Sequence, residues 1–325
     1  MDKFALLVGV SHCAAGLPPL PKARTNVEVL KRSLQNGKSG FEIDTLFDLP
    51  HLEMAETIER FFRHRDENDK LLFLFSGYGI VDTDDQLYFA TPATSFDDQG
   101  NLIRARTLPA SFLLNVMDCS PALQQVIIFD SCFRLTQGIS PDAAETDMGD
   151  VFNRMIGDRR VILSANAFTQ HESEHPSLDV WSYTRYLAEG IETGAADTDC
   201  DGSLTVKELH LYAQRKLSIA APNQHPQFYA ADDNVNQMVL QVPSHTPEVK
   251  YRQLLERLAQ SSEIDQTSFR ILNGRNFMNT LRQHLGLSIQ EAEDIESHVL
   301  RPLQEHHQRK QVYQEALSKL NQGTG

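Results

Sequence analysis

Two stretches of this chain place reactive or ligating side chains at spacings that chemistry can use. The first reads Asp197-Thr-Asp199-Cys-Asp201-Gly202-Ser203-Leu204-Thr205-Val-Lys-Glu208. Carboxylates at positions one, three and five of a twelve-residue loop converge on one ion, and glycine at six permits the sharp turn. Ser203 at seven offers its carbonyl, Thr205 sits at nine, and Glu208 at twelve closes the site with both carboxylate oxygens. That order of oxygen ligands is the calcium-loop pattern, so Ca2+ is the cofactor the sequence predicts. The other reading is an acidic turn kept for its shape. A lone loop without a paired second loop predicts weak binding. The second stretch is Asp130-Ser131-Cys132, which ends the apolar run 125–129. Cys132 is either a nucleophilic thiol or a small buried apolar residue, which is what cysteine outside disulfides usually is. Asp130 has a bland reading as the polar end of a strand that caps a helix.

The elements that must carry these residues show in the periodicity. Apolar runs at 4–10, 41–48, 70–76, 125–130, 160–166 and 235–242 read as strands, most of them buried on both faces. Helix-period stretches at 26–35, 53–65, 108–117 and 181–192 alternate with them. Strand and helix in alternation imply βαβ units and a mostly parallel, six-stranded α/β sheet sandwiched by helices. Sites in such sheets lie at the carboxyl ends of the strands. This directs attention to the residues expected just past those ends: Ser11-His12-Cys13, Gly77-Tyr78-Gly79, Ser131-Cys132-Phe133 and Ala167-Phe168-Thr169. Past Val242 the texture changes. Pro243 and Pro247 mark a linker at 243–250, and a small all-α region follows at 251–320. Helices are expected at about 248–260, 267–285 and from 289, the last opened by a Ser288/Glu291 capping box and kinked by Pro302.

Bulk properties set limits. The 325 residues suffice for one good core plus a smaller unit. No apolar run reaches the roughly 20 residues of a membrane span, and the N-terminal apolar run lacks a cleavage signal. Four scattered cysteines make no disulfide framework, so a reduced, cytoplasmic protein is expected. The net charge of −14 falls on residues 1–245, because 246–325 holds ten acidic and ten basic side chains. An acidic surface repels nucleic acid and anionic membrane, and suits basic peptides, cationic protein partners or metal ions.

Several segments, in order, resemble the caspase-like peptidases of bacteria, the orthocaspases or prokaryotic metacaspases. They are FALLVGVS, LLFLFSGYG, QLYFATPAT, TLPASFLLNVM, VIIFDSC, RVILSAN and YTRYLAEGIETGAADTDCDGSLTVKEL. The resemblance covers residues 1–242 and implies a caspase-like fold. It also implies a nucleophile at Cys132, an oxyanion-holding backbone N–H at Gly79, and an acidic specificity residue at Asp130 that selects Arg or Lys. Residues 251–320 resemble, more weakly, small helical interaction modules, so a protein partner for the C-terminal helices is expected. The chain departs from the family twice. The family's Ser-Gly-His-Gly reads Ser76-Gly77-Tyr78-Gly79 here, and bulky Arg134 and Leu135 follow Cys132-Phe133. Tyr78 and Cys132 are 54 residues apart, near the roughly 50 between histidine and cysteine in caspases.

The substitution sets the functional expectation. Imidazole, with a pKa near ~6.5, both accepts and returns a proton at neutral pH, whereas a phenol near ~10 does neither well. Loss of one member of such a dyad costs roughly 10³-fold or more in rate. The leading reading is therefore a pseudo-peptidase that binds a peptide or protein partner. The alternatives are an active calcium-dependent cysteine endopeptidase cleaving after Arg or Lys, rescued by His12, His171 or His175 or by Tyr78 itself in an unusual environment, and a calcium-responsive adaptor.

Overall fold

The computed structural model describes residues 2–14, 16–36, 40–82, 84, 86–136, 152–153, 155–165, 167–168, 183–199, 201–221, 224–231, 240–241, 246–260 and 273–301. The sheet grows from apolar runs that hide both faces. Strand β1 (Lys3–Gly9) lies between β2 (Phe41–Phe47) and β3 (Lys70–Val81), parallel to both. β3 pairs in parallel with β6 (Gln124–Leu135), and β6 with β7 (Arg160–Ser164). β10 (Gln227–Ala230) closes the far edge antiparallel to β7, so the main path reads β10-β7-β6-β3-β1-β2. The short strands β4 (Leu87–Phe89), β5 (Leu108–Pro109) and β8 (Ala167–Phe168) attach to β3, β4 and β6 respectively.

Helices cover both faces, as expected for a mostly parallel α/β sheet. On one face α1 (Lys22–Asn36), α4 (Tyr183–Thr193) and α5 (Val206–Ala220) bury a cluster that includes Leu7, Leu30, Leu74, Ile128, Leu187 and Leu209. On the other, α2 (His51–Arg63) and α3 (Ala110–Asp118) bury Met54, Phe62, Phe73, Leu113 and Phe129. The amphipathic stripe of α1 explains its docking: Ala23, Val27, Leu30 and Leu34 fall on one face at helical spacing.

Three expectations are corrected. The residues placed past the ends of β3 and β6 lie inside them, because both strands run on to Val81 and Leu135 in continuous register. β4 returns antiparallel along β3 and pairs Gly79 with Phe89, which extends the ladder through the glycines. Glycine at 79 is a packing requirement, since a Cβ there would stand 2.5 Å from the Phe133 ring. The main sheet's edge strand is Gln227–Ala230, which was not expected; of the expected run 235–242, Leu240–Gln241 forms β11, which pairs with β9 (Ser203–Leu204) in a separate ribbon, and the rest lies outside the described residues. The helix expected at 248–260 is α6 (Pro247–Gln260); it starts one residue earlier, since proline is tolerated in a first helical turn, and so takes 247–250 out of the expected linker.

Beyond α6 come α7 (Asn273–Leu285) and a helix at 289–301. The Ser288/Glu291 capping box is formed: Ser288 N donates to Glu291 Oε2 at 2.8 Å and Glu291 N to Ser288 Oγ at 3.2 Å. Pro302 lies outside the described residues. Tyr251, Leu255, Met278, Leu287, Ala292, Ile295 and Val299 form a separate apolar cluster. No helix among the described residues is long and apolar enough to cross a membrane.

Candidate functional site

The parallel register of β3 and β6 aligns Ser76 with Asp130, Tyr78 with Cys132, and Ile80 with Arg134. Alternate residues of a strand share a face. One face of the central strand pair therefore presents Asp130, Cys132 and Arg134 in a row, with Tyr78 beside the cysteine. Tyr78 is 1% and Cys132 4% exposed, and Leu17, Leu20, Ala23, Ile80 and Ala90 complete the apolar cluster around them. The Arg134 guanidinium lies over the Tyr78 ring, 5.5 Å from its centroid, a cation–π contact. The thiol thus faces a buried phenol ring rather than a solvated base.

Asp130 sits one pleat before the cysteine, half-buried. Its Oδ2 accepts from Asn26 Nδ2 at 3.1 Å and from Thr184 N at 3.0 Å, and Asn26 Nδ2 also donates to Ser76 Oγ at 3.1 Å. The bond from Thr184 N, in the first turn of α4, is the helix-terminus contact of the bland reading. Sequence reasoning passed over Asn26. Its signal was a polar residue on the apolar stripe of α1, where Asn26 is 4% exposed. Burial pushes the Asp130 carboxyl above its ordinary value of 3.8, against the bonds from Thr184 and the charge of Lys22. A raised folded-state value means that the fold disfavours the ionised form. Asp130 therefore detracts from stability once pH rises through about 3.8, and not below it. Asp130→Asn keeps an oxygen to accept both bonds. Its expected result is a higher melting temperature than wild type at pH 7, with the gap closing near pH 3.5; thermal unfolding across pH checks this.

Of the histidines expected as stand-ins, His12 alone is among the described residues, and it is held by Asp48 rather than by the cysteine. His12 has a 72% exposed side chain with Nδ1 3.6 Å from Asp48 Oδ2. Asp48 follows β2, so that pair points to the opposite side of β1 from β3 and β6. Beside it, Cys13 is pushed up to about 11 by burial and by Asp48, which leaves it a thiol at neutral pH. His210 is bound at Nδ1 by the Tyr183 hydroxyl at 2.8 Å, and burial lowers its value to about 4, which keeps it neutral. His171 and His175 lie outside the described residues.

The acidic loop joins α4 to α5. Gly202 has φ +83°, a left-handed turn that glycine makes without strain, and its N–H donates to Asp197 Oδ2 at 3.0 Å. Thr205 and Glu208 form a capping box that opens α5. Asp197, Asp199 and Glu208 each bring a carboxylate oxygen within 4.8 Å of the others. Burial pushes the Glu208 carboxyl up, but hydrogen bonds from Thr205 and Thr198 outweigh it and hold the group below its ordinary value, ionised at neutral pH. The residues present thus fit a hard divalent cation, with one departure: Asp201 is not in the cluster, and its Oδ1 accepts from Ser203 N at 2.6 Å. The carbonyl of Ser203 and Thr205 remain the other expected ligands. Asp82, Asp84 and Asp97, in two other acidic stretches, have partners of their own. Arg104 Nη2 meets Asp82 Oδ2 at 2.6 Å and Asp84 Oδ2 at 2.5 Å, while Asp97 accepts from Asn101 N, Asn101 Nδ2 and Gln99 N.

Fold and site define a mostly parallel α/β protein with a cysteine on the central strand pair. The peptidase C14 caspase-domain model matches residues 2–322, and the chain belongs to that family. A Geobacter sulfurreducens protein of solved structure aligns with a TM-score of 0.44 at 14% identity, covering 74% of this chain and 99% of its own. The Drosophila initiator caspase Dronc aligns with a TM-score of 0.44 at 10% identity, covering 70% of this chain and 79% of its own. No curated protein sequence matches.

Proposed function

We propose that this chain is a caspase-family pseudo-peptidase of the bacterial, orthocaspase type, which binds a peptide or protein partner and does not cleave it efficiently. One observation carries the reading: the register partner of Cys132 is Tyr78, and both side chains are buried in the apolar cluster between β3 and α1. Peptide hydrolysis by a thiol needs a thiolate, and then a proton donor for the leaving amine. Tyr78 supplies neither function at neutral pH. Asp130 fits a recognition role, because the chain retains a carboxylate that burial makes unfavourable, at the place where the family reads Arg or Lys. The acidic loop adds a calcium-responsive element through Asp197, Asp199 and Glu208, with Ser203, Thr205 and Asp201 as its remaining oxygen donors. A cytoplasmic location follows from the cysteine usage, and the acidic surface argues for basic peptide partners over nucleic acid or membrane. The test is turnover of an Arg- or Lys-based fluorogenic peptide with calcium present. Wild type is expected to match its Cys132→Ala variant. Cleavage that Cys132→Ala abolishes would overturn the reading.

A further inference from the structure

Helix α6 has two faces that go to different places. Tyr251, Leu255 and Leu258 pack into the apolar cluster of the C-terminal helices with Met278, Leu287 and Val299. Arg252, Gln253 and Glu256 turn the other way, onto α4, α5 and the acidic loop. Gln253 Nε2 donates to the carbonyl oxygens of Gly194 at 2.9 Å and Asp197 at 3.0 Å. Lys216 Nζ lies 3.2 Å from Glu256 Oε1 and 3.3 Å from Glu189 Oε1. Arg252 Nη1 lies 3.4 Å from Glu189 Oε1, and the Tyr212 hydroxyl donates to Glu189 at 3.0 Å and to Glu256 at 3.5 Å.

The hydrogen bonds and ion pairs across this seam are those of ions, amides and a phenol. Among the described residues, the apolar cluster around α6 and the one under α4 and α5 have no member in common. Such a contact differs in kind from a hydrophobic one. Drawing buried ions out of water offsets much of their mutual attraction, so an intact seam adds little net stability, whereas removing one partner strands a charge. Parting the two sides returns these charged groups to water and divides neither apolar cluster, so the opened state avoids much of the penalty that keeps ordinary cores shut. Each side also retains its own apolar cluster when they separate.

We propose that the polar face of α6 is a latch that holds the C-terminal helices on the caspase-like domain and lets them come away as one folded unit. The latch needs no ion in the acidic loop. It grips that loop through the Asp197 carbonyl, and so any change in the loop acts on it directly.

Small-angle scattering with circular dichroism on the full chain tests this. Lys216→Glu places an acid against Glu189 and Glu256. Its expected result is an open population at least roughly tenfold above wild type, seen as a larger radius of gyration with unchanged helix content. Combining it with Glu256→Lys rebuilds a balanced seam and is expected to restore the wild-type radius. If Lys216→Glu does not fold, Gln253→Ala, which removes two hydrogen bonds and no charge, is expected to give a smaller increase in radius. The proposal is overturned by an unchanged radius in a folded Lys216→Glu chain, or in Gln253→Ala where that variant is used. Loss of helix content together with expansion also overturns it, since the helices would then depend on the seam to fold. So does failure of the double variant to close.

Discussion

Tyr78→His is expected to cleave Arg- or Lys-based peptides at least roughly tenfold faster than wild type, and adding Cys132→Ala is expected to abolish the gain. The register supplies the reason. Residue 78 stands directly across from residue 132 in the β3–β6 ladder, so an imidazole at 78 is delivered beside the thiol without moving the backbone. General acid–base catalysis by a positioned side chain contributes about 10²–10⁴-fold, which bounds the gain from above. Two features hold it toward the low end. Cys132 is only 4% exposed, and Arg134, which now rests on the Tyr78 ring, opposes protonation of an imidazole in the same place. A folded but silent Tyr78→His chain would show that the burial around Leu17 and Leu20 blocks the site whatever base it holds. Restored turnover would show that one side chain separates this chain from a working peptidase.

The central strands were legible in the sequence because strands buried on both faces must be continuously apolar; β1 and the first part of β3 and β6 read that way. The continuation of β3 and β6 was not. Gly77-Tyr78-Gly79 looks like the end of a strand, since glycine weakens strands and punctuates loops. Here the same glycine relieves the Phe133 ring and lets β4 pair alongside, a long-range fit that no local window contains. Gln227–Ala230 was passed over for a similar reason: four residues are a weak local signal, and its pairing with the edge of β7 is a long-range fit. Of the candidate site, Cys132, Asp130 and the acidic loop were visible as motifs. Asn26 was not, because a polar residue near an expected helix start reads as a cap. The double allegiance of α6 was likewise hidden: alternating charged and apolar residues fit a solvated face as well as a buried ionic seam.

Calcium in the millimolar range is expected to raise the melting temperature of the wild-type chain, magnesium is expected to raise it less, and Glu208→Gln is expected to remove most of the shift. The loop is held ready by contacts that need no ion. Gly202 N fixes Asp197, and Thr198 and Thr205 fix Glu208, so three carboxylates are kept close at the expense of mutual repulsion that a divalent cation relieves. Calcium accepts an irregular set of oxygen ligands at 2.3–2.6 Å, whereas magnesium demands a smaller, near-octahedral one, which sets their order. Binding to the folded state alone adds about 2.7 kcal/mol at a hundredfold excess over the dissociation constant, on the order of 5 °C in melting temperature. Glu208→Gln is a clean probe because glutamine also serves at the third helical position of a capping box, so the start of α5 is retained while a charge and a ligand oxygen are lost. The rival sites are already neutralised or bonded, Asp82 and Asp84 by Arg104 and Asp97 by Asn101. A Glu208→Gln chain that keeps the full shift would place calcium in one of those loops after all. Calorimetric titration that shows no calcium heat in wild type would remove the ion from the account, leaving the acidic loop, through its buried Asp197, as an anchor for Gln253 and α6.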